Sequence, residues 1–248
     1  MRNIKLTLEY DGASFYGFQK QPHHISIQES LEKALSKLLN RKTKIAAASG
    51  RTDTGVHAHG QVVNFKTQSL RELAEMQRAL NGILPAEIAV TAVDEVAPDF
   101  HARYSAVSKI YEYSIWNEPV RSPLRKYRSY HVPQPLNLVA MRRAARLLVG
   151  RHDFRSFGNA RGKGSEPKST VRTLKRLEIR RVGELVRLRF EADGFLYQMV
   201  RNLVGALVAV GRGKLNPGDI RALLRSKDRR KAPAGSPAEG LALVKVKY

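Results

Sequence analysis

Two hydrophobic periodicities alternate along this chain in a set order, and that order restricts the fold more than any single residue does. Ile4, Leu6, Leu8 and Tyr10 alternate with polar residues, the period-2 pattern of a strand with one buried face, and Asp11-Gly12 signals a turn. Ser26 with Glu29 forms a capping-box pattern, and Ile27, Leu31, Ala34, Leu35 and Leu38 follow at helical spacing to about Leu39. Thr43 to Ser49 reads as a second strand and Gln61 to Thr67 as a third. Ser69 with Glu72 predicts another capped helix through Leu80, closed by Gly82, and Ile88 to Val96 a fourth strand. The order is β-α-β-β-α-β, which implies an antiparallel sheet with both helices on one face.

The second half repeats the order with looser spacing. Ser105 to Trp116 reads as a strand and Leu138 to Val149 as a helix. Val171 to Arg181 and Glu184 to Ala192 form a hairpin pattern turning at Val182-Gly183. An apolar helix from about Leu196 to Val210, a short helix from Pro217 to Leu224 and a last strand from Leu241 to Lys247 follow. The expected fold class is α+β: two ferredoxin-like domains, 1–103 and 104–248, with helices on one sheet face and the other open to a ligand. Val186, Leu188 and Phe190 alternate against Arg187, Arg189 and Glu191, so one side of that strand is mostly basic. Arg172, Arg176 and Arg180 share a parity on the preceding strand, although Leu174 breaks the alternation.

Charge separates the halves. Among 248 residues there are 44 Lys+Arg and 22 Asp+Glu, a formal net charge of +22. Through Arg103 there are 13 basic and 11 acidic residues, and from Tyr104 onward 31 and 11, so the second half carries net +20. An excess of that size on a folded half points to a polyanion, nucleic acid ahead of an anionic membrane surface. A solvated basic surface is the plainer alternative. With 42% apolar residues the chain is not a disordered basic tail, and with no cysteine it has neither disulfides nor thiolate chemistry. The longest apolar run, Leu203 to Val210, is short of a membrane span, and no apolar signal segment opens the chain, so a cytoplasmic location is expected.

Three segments hold residues suited to chemistry. Ser49 to Gly60, SGRTDTGVHAHG, lies between two strands, with Arg51 and Asp53 two apart among three glycines. Asp53 is either a turn aspartate or a reactive carboxylate. His57 and His59 lack a third metal ligand nearby, and no metal is expected. Tyr111 and Tyr113 face one way on a strand, either as core packing or as a platform for a base. Arg201 interrupts an otherwise apolar helix, so it either reaches solvent or is buried beside a carboxylate, for which Asp53 is the candidate.

Together Gly50-Arg51-Thr52-Asp53, Gly55-Val56-His57-Ala58, Gly60-Gln61-Val62, Phe100-His101-Ala102-Arg103 leading to Tyr111, and Phe195 through Gly205 resemble the tRNA pseudouridine synthase A family. Leu8 to Gln19 and Asn81 to Pro85 match it as well, so the resemblance runs along nearly the whole chain. It implies isomerisation of uridines in the anticodon stem-loop of tRNA, with Asp53 as the nucleophile. By the same resemblance Tyr111 stacks on the uracil, Arg201 pairs with the aspartate, and Arg51 helps displace the target nucleotide from its stack. No cofactor or metal is implied, and a homodimer is. A non-catalytic RNA-binding protein with two RNA-recognition-like sheets accounts equally for charge and architecture; the Asp53 loop together with a buried Arg201 separates the two readings.

Overall fold

The computed structural model of the chain describes residues 1–160 and 169–248. It is a mixed α+β structure with ten strands and five α-helices among those residues. In chain order they are β1 (Arg2–Tyr10), α1 (Ile27–Leu38), β2 (Ala47–Ala48), β3 (His57–Thr67), α2 (Leu73–Ile83), β4 (Ile88–Val96), β5 (Ser108–Trp116), β6 (Tyr130–His131), α3 (Leu138–Arg146), β7 (Gly150–Asp153), β8 (Val171–Val182), β9 (Leu185–Ala192), α4 (Met199–Gly211), α5 (Asp219–Ser226) and β10 (Leu241–Lys247). Contacts divide the chain into two units, residues 1–107 with 242–248 and residues 108–241.

In the first unit β1 lies between β3 and β4, antiparallel to both, with Leu6 opposite Val63 on one side and Val93 on the other. The alternation along β1 therefore becomes a buried row, and Ile4, Leu6 and Leu8 are fully enclosed. Each such side chain contributes on the order of 2 kcal/mol from burial. Leu31 and Leu35 of α1 and Met76 and Leu80 of α2 complete the core. Ser26 caps α1 as expected, its Oγ accepting from the Glu29 N–H at 3.3 Å.

Three expected elements differ. The strand at Thr43 to Ser49 shrinks to two residues, because the N–H groups of Thr43 and Ile45 donate to α1 side chains, the Ser36 hydroxyl and the Glu32 carboxylate, instead of to a ladder. The helix expected from Ser69 begins at Leu73: the Ser69 Oγ accepts from Arg71 N–H in a local turn, and Glu72 makes no side-chain cap. That helix also runs through Gly82 and ends at Leu84, whose extended backbone suits the Pro85 that follows. Finally β10, expected to close the second repeat, pairs parallel with β3 at His57 and Ala58 within the first unit. Gly60 permits this approach, since a Cβ there would stand 2.6 Å from the Val244 carbonyl oxygen.

In the second unit the strand order is β5-β9-β8-β7, with the short β6 on β5. The β8–β9 hairpin turns at Gly183, whose φ of +59° suits glycine. A register shift between Leu174 and Arg176 explains the broken alternation on β8. The extra residue, Lys175, moves every later side chain to the opposite face, so Leu174, Leu177 and Ile179 all turn inward while Arg176 and Arg180 turn out. Arg172, on the near side of the bulge, shares the face of Leu174 and not that of Arg176. α3 packs on β8 and on α4, and Met141, Ala144, Leu203, Val204 and Leu207 are buried there.

Candidate active site

Asp53 sits in the first unit, half-buried, in a loop whose backbone is fixed from several sides. Its carbonyl accepts from Val56 N–H at 3.1 Å, and Gly55 takes φ +78° at the third position of that turn. This is the geometry of a type II turn, which requires glycine there. Thr52 is buried, and its Oγ1 lies 2.8 Å from the Tyr10 hydroxyl. Gln61 Nε2 donates to the Tyr10 oxygen at 3.3 Å and to the Gly50 carbonyl at 2.9 Å, while the Ser49 hydroxyl donates to Gln61 Oε1 at 2.6 Å. Because Tyr10 accepts from Gln61, its own proton is available to Thr52. This closed polar network lies directly beneath the residue preceding Asp53 and holds the loop to β1 and β3.

The loop after β1 holds the Asp53 segment from another side. Phe18 N–H donates to the Thr52 carbonyl at 3.0 Å, and Phe15 and Phe18 are buried as anchors. A Cβ on Gly12 would stand 2.1 Å from the Val56 carbonyl oxygen, so this contact exists only because residue 12 is glycine. Gly12→Ala is expected to push the two loops apart and to cost about 2 to 4 kcal/mol of stability, by overpacking against backbone that cannot yield. Urea unfolding measures this; a loss under about 0.5 kcal/mol would mean the contact is not tight.

His57 and His59 are the first and third residues of β3 and do not lie in the loop. His57 is buried, with Nδ1 3.0 Å from Asp11 Oδ1 and accepting from Gly12 N–H at 3.2 Å. It therefore ties β3 to the turn after β1. His59 points the other way and is exposed, 3.1 Å from Glu9. Among the described residues no group of three His, Asp or Glu side chains is placed to hold a metal ion.

Burial pushes the Tyr10 hydroxyl up to about 12. The folded protein thus keeps a proton that the unfolded chain releases near 10, and stability from this group is intact below pH 10 and is lost as pH rises toward 12. The change over that window is on the order of 2 to 3 kcal/mol. Burial shifts Tyr113 and Tyr248 in the same direction, so three groups contribute to alkaline unfolding. Tyr10→Phe is expected to flatten the decline of unfolding free energy between pH 10 and 12 by about one tyrosine's share; an unaltered slope would show that Tyr10 ionises normally.

Arg51 is exposed in the same loop as Asp53. Tyr111 and Arg201 belong to the second unit. Tyr111, on β5, is buried and meets Phe195 edge-on, ring centroids 5.1 Å apart. Tyr113 has the same parity but is fully enclosed, and its hydroxyl donates to the Pro237 carbonyl at 2.8 Å, so it is core packing and not half of a two-tyrosine platform. Arg201, on α4, is half-buried, and its Nε donates to the Ser236 carbonyl at 2.8 Å while the Ser236 N–H donates back to the Arg201 carbonyl. The loop carrying Ser236 reaches α4 through Gly205, where a Cβ would stand 2.1 Å from the Ala234 carbonyl oxygen.

The arginine face of the β8–β9 hairpin is less basic than its sequence suggests. Arg187 lies 3.5 Å from Glu112, and Arg176 and Arg180 both bond Glu178, whose carboxyl Arg176 first of all holds below the usual carboxylate range. Register also puts Tyr111 opposite Phe190, on the face away from Arg187 and Arg189. The open basic face and the candidate tyrosine are on opposite sides of this sheet.

Sequence reasoning passed over Tyr10, Thr52, Ser49 and Gln61 as site supports, reading them as strand or loop positions. Tyr10, Ser49 and Gln61 carry one sequence signal, a tyrosine and two polar groups at strand positions that the period-2 pattern sends inward; Thr52, in the loop, carries none.

A profile of the tRNA pseudouridine synthase family matches residues 7–105 and 144–248 of this chain. The tRNA pseudouridine synthase A 1 of Protochlamydia amoebophila is 42% identical over 248 residues, covering 100% of this chain and 97% of that protein. The tRNA pseudouridine synthase A of a Thermoanaerobacter species is 42% identical with 100% of both chains covered, and that of Chromobacterium violaceum is 46% identical over 99% of this chain and 92% of that protein. Matches of this extent include the Asp53 loop, β5 from Tyr111 onward and α4 in one alignment. The chain therefore belongs to the tRNA pseudouridine synthase family and is an isomerase.

Proposed function

We propose that the protein converts uridines of the tRNA anticodon stem-loop to pseudouridine, with Asp53 as nucleophile, Arg201 pairing with it at the substrate site, and Arg51 and Tyr111 contacting the target nucleotide. The observation that carries this reading is a half-buried carboxylate on a loop whose backbone is fixed by a buried hydrogen-bond network and two close-contact glycines. A turn aspartate of ordinary structural use does not need that support; a nucleophile that must meet one carbon atom does. The N1–C1′ bond breaks, the uracil turns, C5 joins C1′, the C5 proton is released and N1 takes up a proton. Asp53 attacks either C1′ or C6, and the covalent intermediate divides the displacement into two steps.

A target uridine stacked in a stem must first be extruded, at a cost of a few kcal/mol. The exposed Arg51, two residues from Asp53, suits occupation of the vacated position. Tyr111, held edge-on by Phe195, has a fixed ring plane on which a uracil can stack. The reading takes the chain as two ferredoxin-like domains, the last strand belonging with the first, and has the second half of the chain bring most of the positive charge to tRNA. It also carries a homodimer, from the family resemblance, and a cytoplasmic location, from the sequence reading; among the described residues no helix is long and apolar enough to cross a membrane. The direct test is pseudouridine mapping of unmodified tRNA after incubation with the protein. New pseudouridine confined to the anticodon stem-loop is expected. Modification elsewhere would overturn the site preference, and none at all the activity.

A further inference from the structure

The segment from Trp116 to His131 belongs to neither stretch matched by the family profile; its ends pair in the sheet, as β5 and β6, and the candidate site does not use what lies between. It holds Arg121, Arg125, Lys126 and Arg128 against one carboxylate, Glu118, and that carboxylate is already 2.9 Å from Arg181. Among the described residues the charges of Arg121, Arg125 and Lys126 are thus balanced by no carboxylate.

The segment is also shaped. Trp116 Nε1 donates to the Val120 carbonyl at 2.8 Å, and a 3-10 turn at Pro123–Arg125 is closed by backbone bonds from Arg125 to Ser122 and from Lys126 to Pro123. Ser129 Oγ donates to the Arg125 carbonyl at 3.2 Å. Tyr127 holds φ +62°, a conformation that a bulky side chain adopts at a cost and that the surrounding bonds must impose. On this frame the Arg125 guanidinium lies 5.9 Å over the Trp116 ring and the Lys126 ammonium 4.7 Å over the Tyr127 ring. Leu124 is 91% exposed and Tyr127 53%.

From these observations we infer that residues 116–131 form an RNA-docking surface, in which Arg121, Arg125 and Lys126 meet backbone phosphates and the Trp116 and Tyr127 rings take stacked or edge contacts from nucleotides. Cations held over aromatic rings in a preformed loop are the combination that binds nucleic acid with little sequence preference. A second copy of the chain is a poorer occupant, because it would bring the same uncompensated positive charge to the contact. The inference rests on the reading that the substrate is tRNA, and assigns to that substrate a contact in addition to the catalytic residues.

The test compares the intact protein with Arg121→Ala/Arg125→Ala/Lys126→Ala, using an unmodified tRNA transcript and filter binding at several salt concentrations. All three positions are exposed, so the variant is expected to melt with the parent. Its affinity at about 0.15 M salt is expected to fall by roughly ten- to a hundredfold, with the salt slope shallower by about 2 to 3. Trp116 is the only tryptophan, so its emission is expected to change when tRNA binds the intact protein, and to change much less in the variant. Under turnover the loss is expected in KM more than in kcat. A folded variant with the parent's affinity and slope would overturn the inference, as would unaltered affinity with a changed sedimentation mass, which would place the surface between protein copies. These readouts measure binding, so a protein that binds tRNA but leaves uridine unchanged overturns the proposed activity while the affinity comparison still decides the surface.

Discussion

Asp53→Asn is expected to bind tRNA within a few fold of the parent and to release no tritium from tRNA labelled at uridine C5. The substitution keeps shape and hydrogen-bonding size but replaces a carboxylate with an amide that cannot form the covalent intermediate. Removing a nucleophile in enzymes where catalytic groups act as a unit commonly costs a factor of about 10⁴ to 10⁶, so residual turnover would fall below ordinary detection. The structure makes this a clean comparison. The loop around Asp53 is held by the Tyr10–Thr52–Gln61 bonds and by the packing of Gly12 and Gly17, none of which uses the residue 53 side chain. Melting of the variant beside the parent shows whether the loop keeps its place. Tritium release at even a tenth of the parent rate would remove Asp53 from the chemistry and return the loop to a purely structural role.

The second large effect is expected at Arg201. Arg201→Ala should lower kcat/KM by about 10² to 10³, the usual consequence of deleting one preorganised charged hydrogen-bonding group. Stability should fall much less, by about 1 to 3 kcal/mol, since the variant leaves the Ser236 carbonyl without the Nε donor it now accepts from. The two readouts separate function from folding. Arg201→Lys tests geometry: an ammonium keeps the charge but lacks the planar fork, one edge of which is anchored on Ser236. A lysine variant with parental kcat would show that charge alone matters, whereas one close to Arg201→Ala would show that the anchored orientation does. An alanine variant with parental kinetics would mean that Arg201 only fastens the 232–240 loop to α4.

Much of the local structure was legible because periodicity and chain punctuation are local properties. β1, α1, β4, the β8–β9 hairpin and β10 lie where alternation, the Ser26 cap and Gly183 put them. The short β2 and the late start of α2 share a cause, which is competition for backbone donors from side chains. Ser36 and Glu32 take the N–H groups that Thr43 and Ile45 would have given to a strand, and Ser69 spends its hydroxyl on a turn at Arg71. The bulge at Lys175 has a different origin: a single added residue, invisible to a strict period of two, decides which arginines face outward.

The sequence alone brought Arg51 and Asp53 together, because they are two residues apart in a glycine-rich loop and no fold can separate them. It also determined the excess of charge and the family likeness, which are properties of residue identity and order. What only the tertiary structure decided is how those groups are held and faced. Tyr10 and Gln61 come beneath Thr52 through antiparallel pairing of β1 with β3, His57 becomes a tie to Gly12 because β3 starts early, and Tyr111 turns away from the arginines because its register partner is Phe190. Pairing register and close backbone approach are set by contacts between segments tens of residues apart, and such contacts leave no local pattern to read.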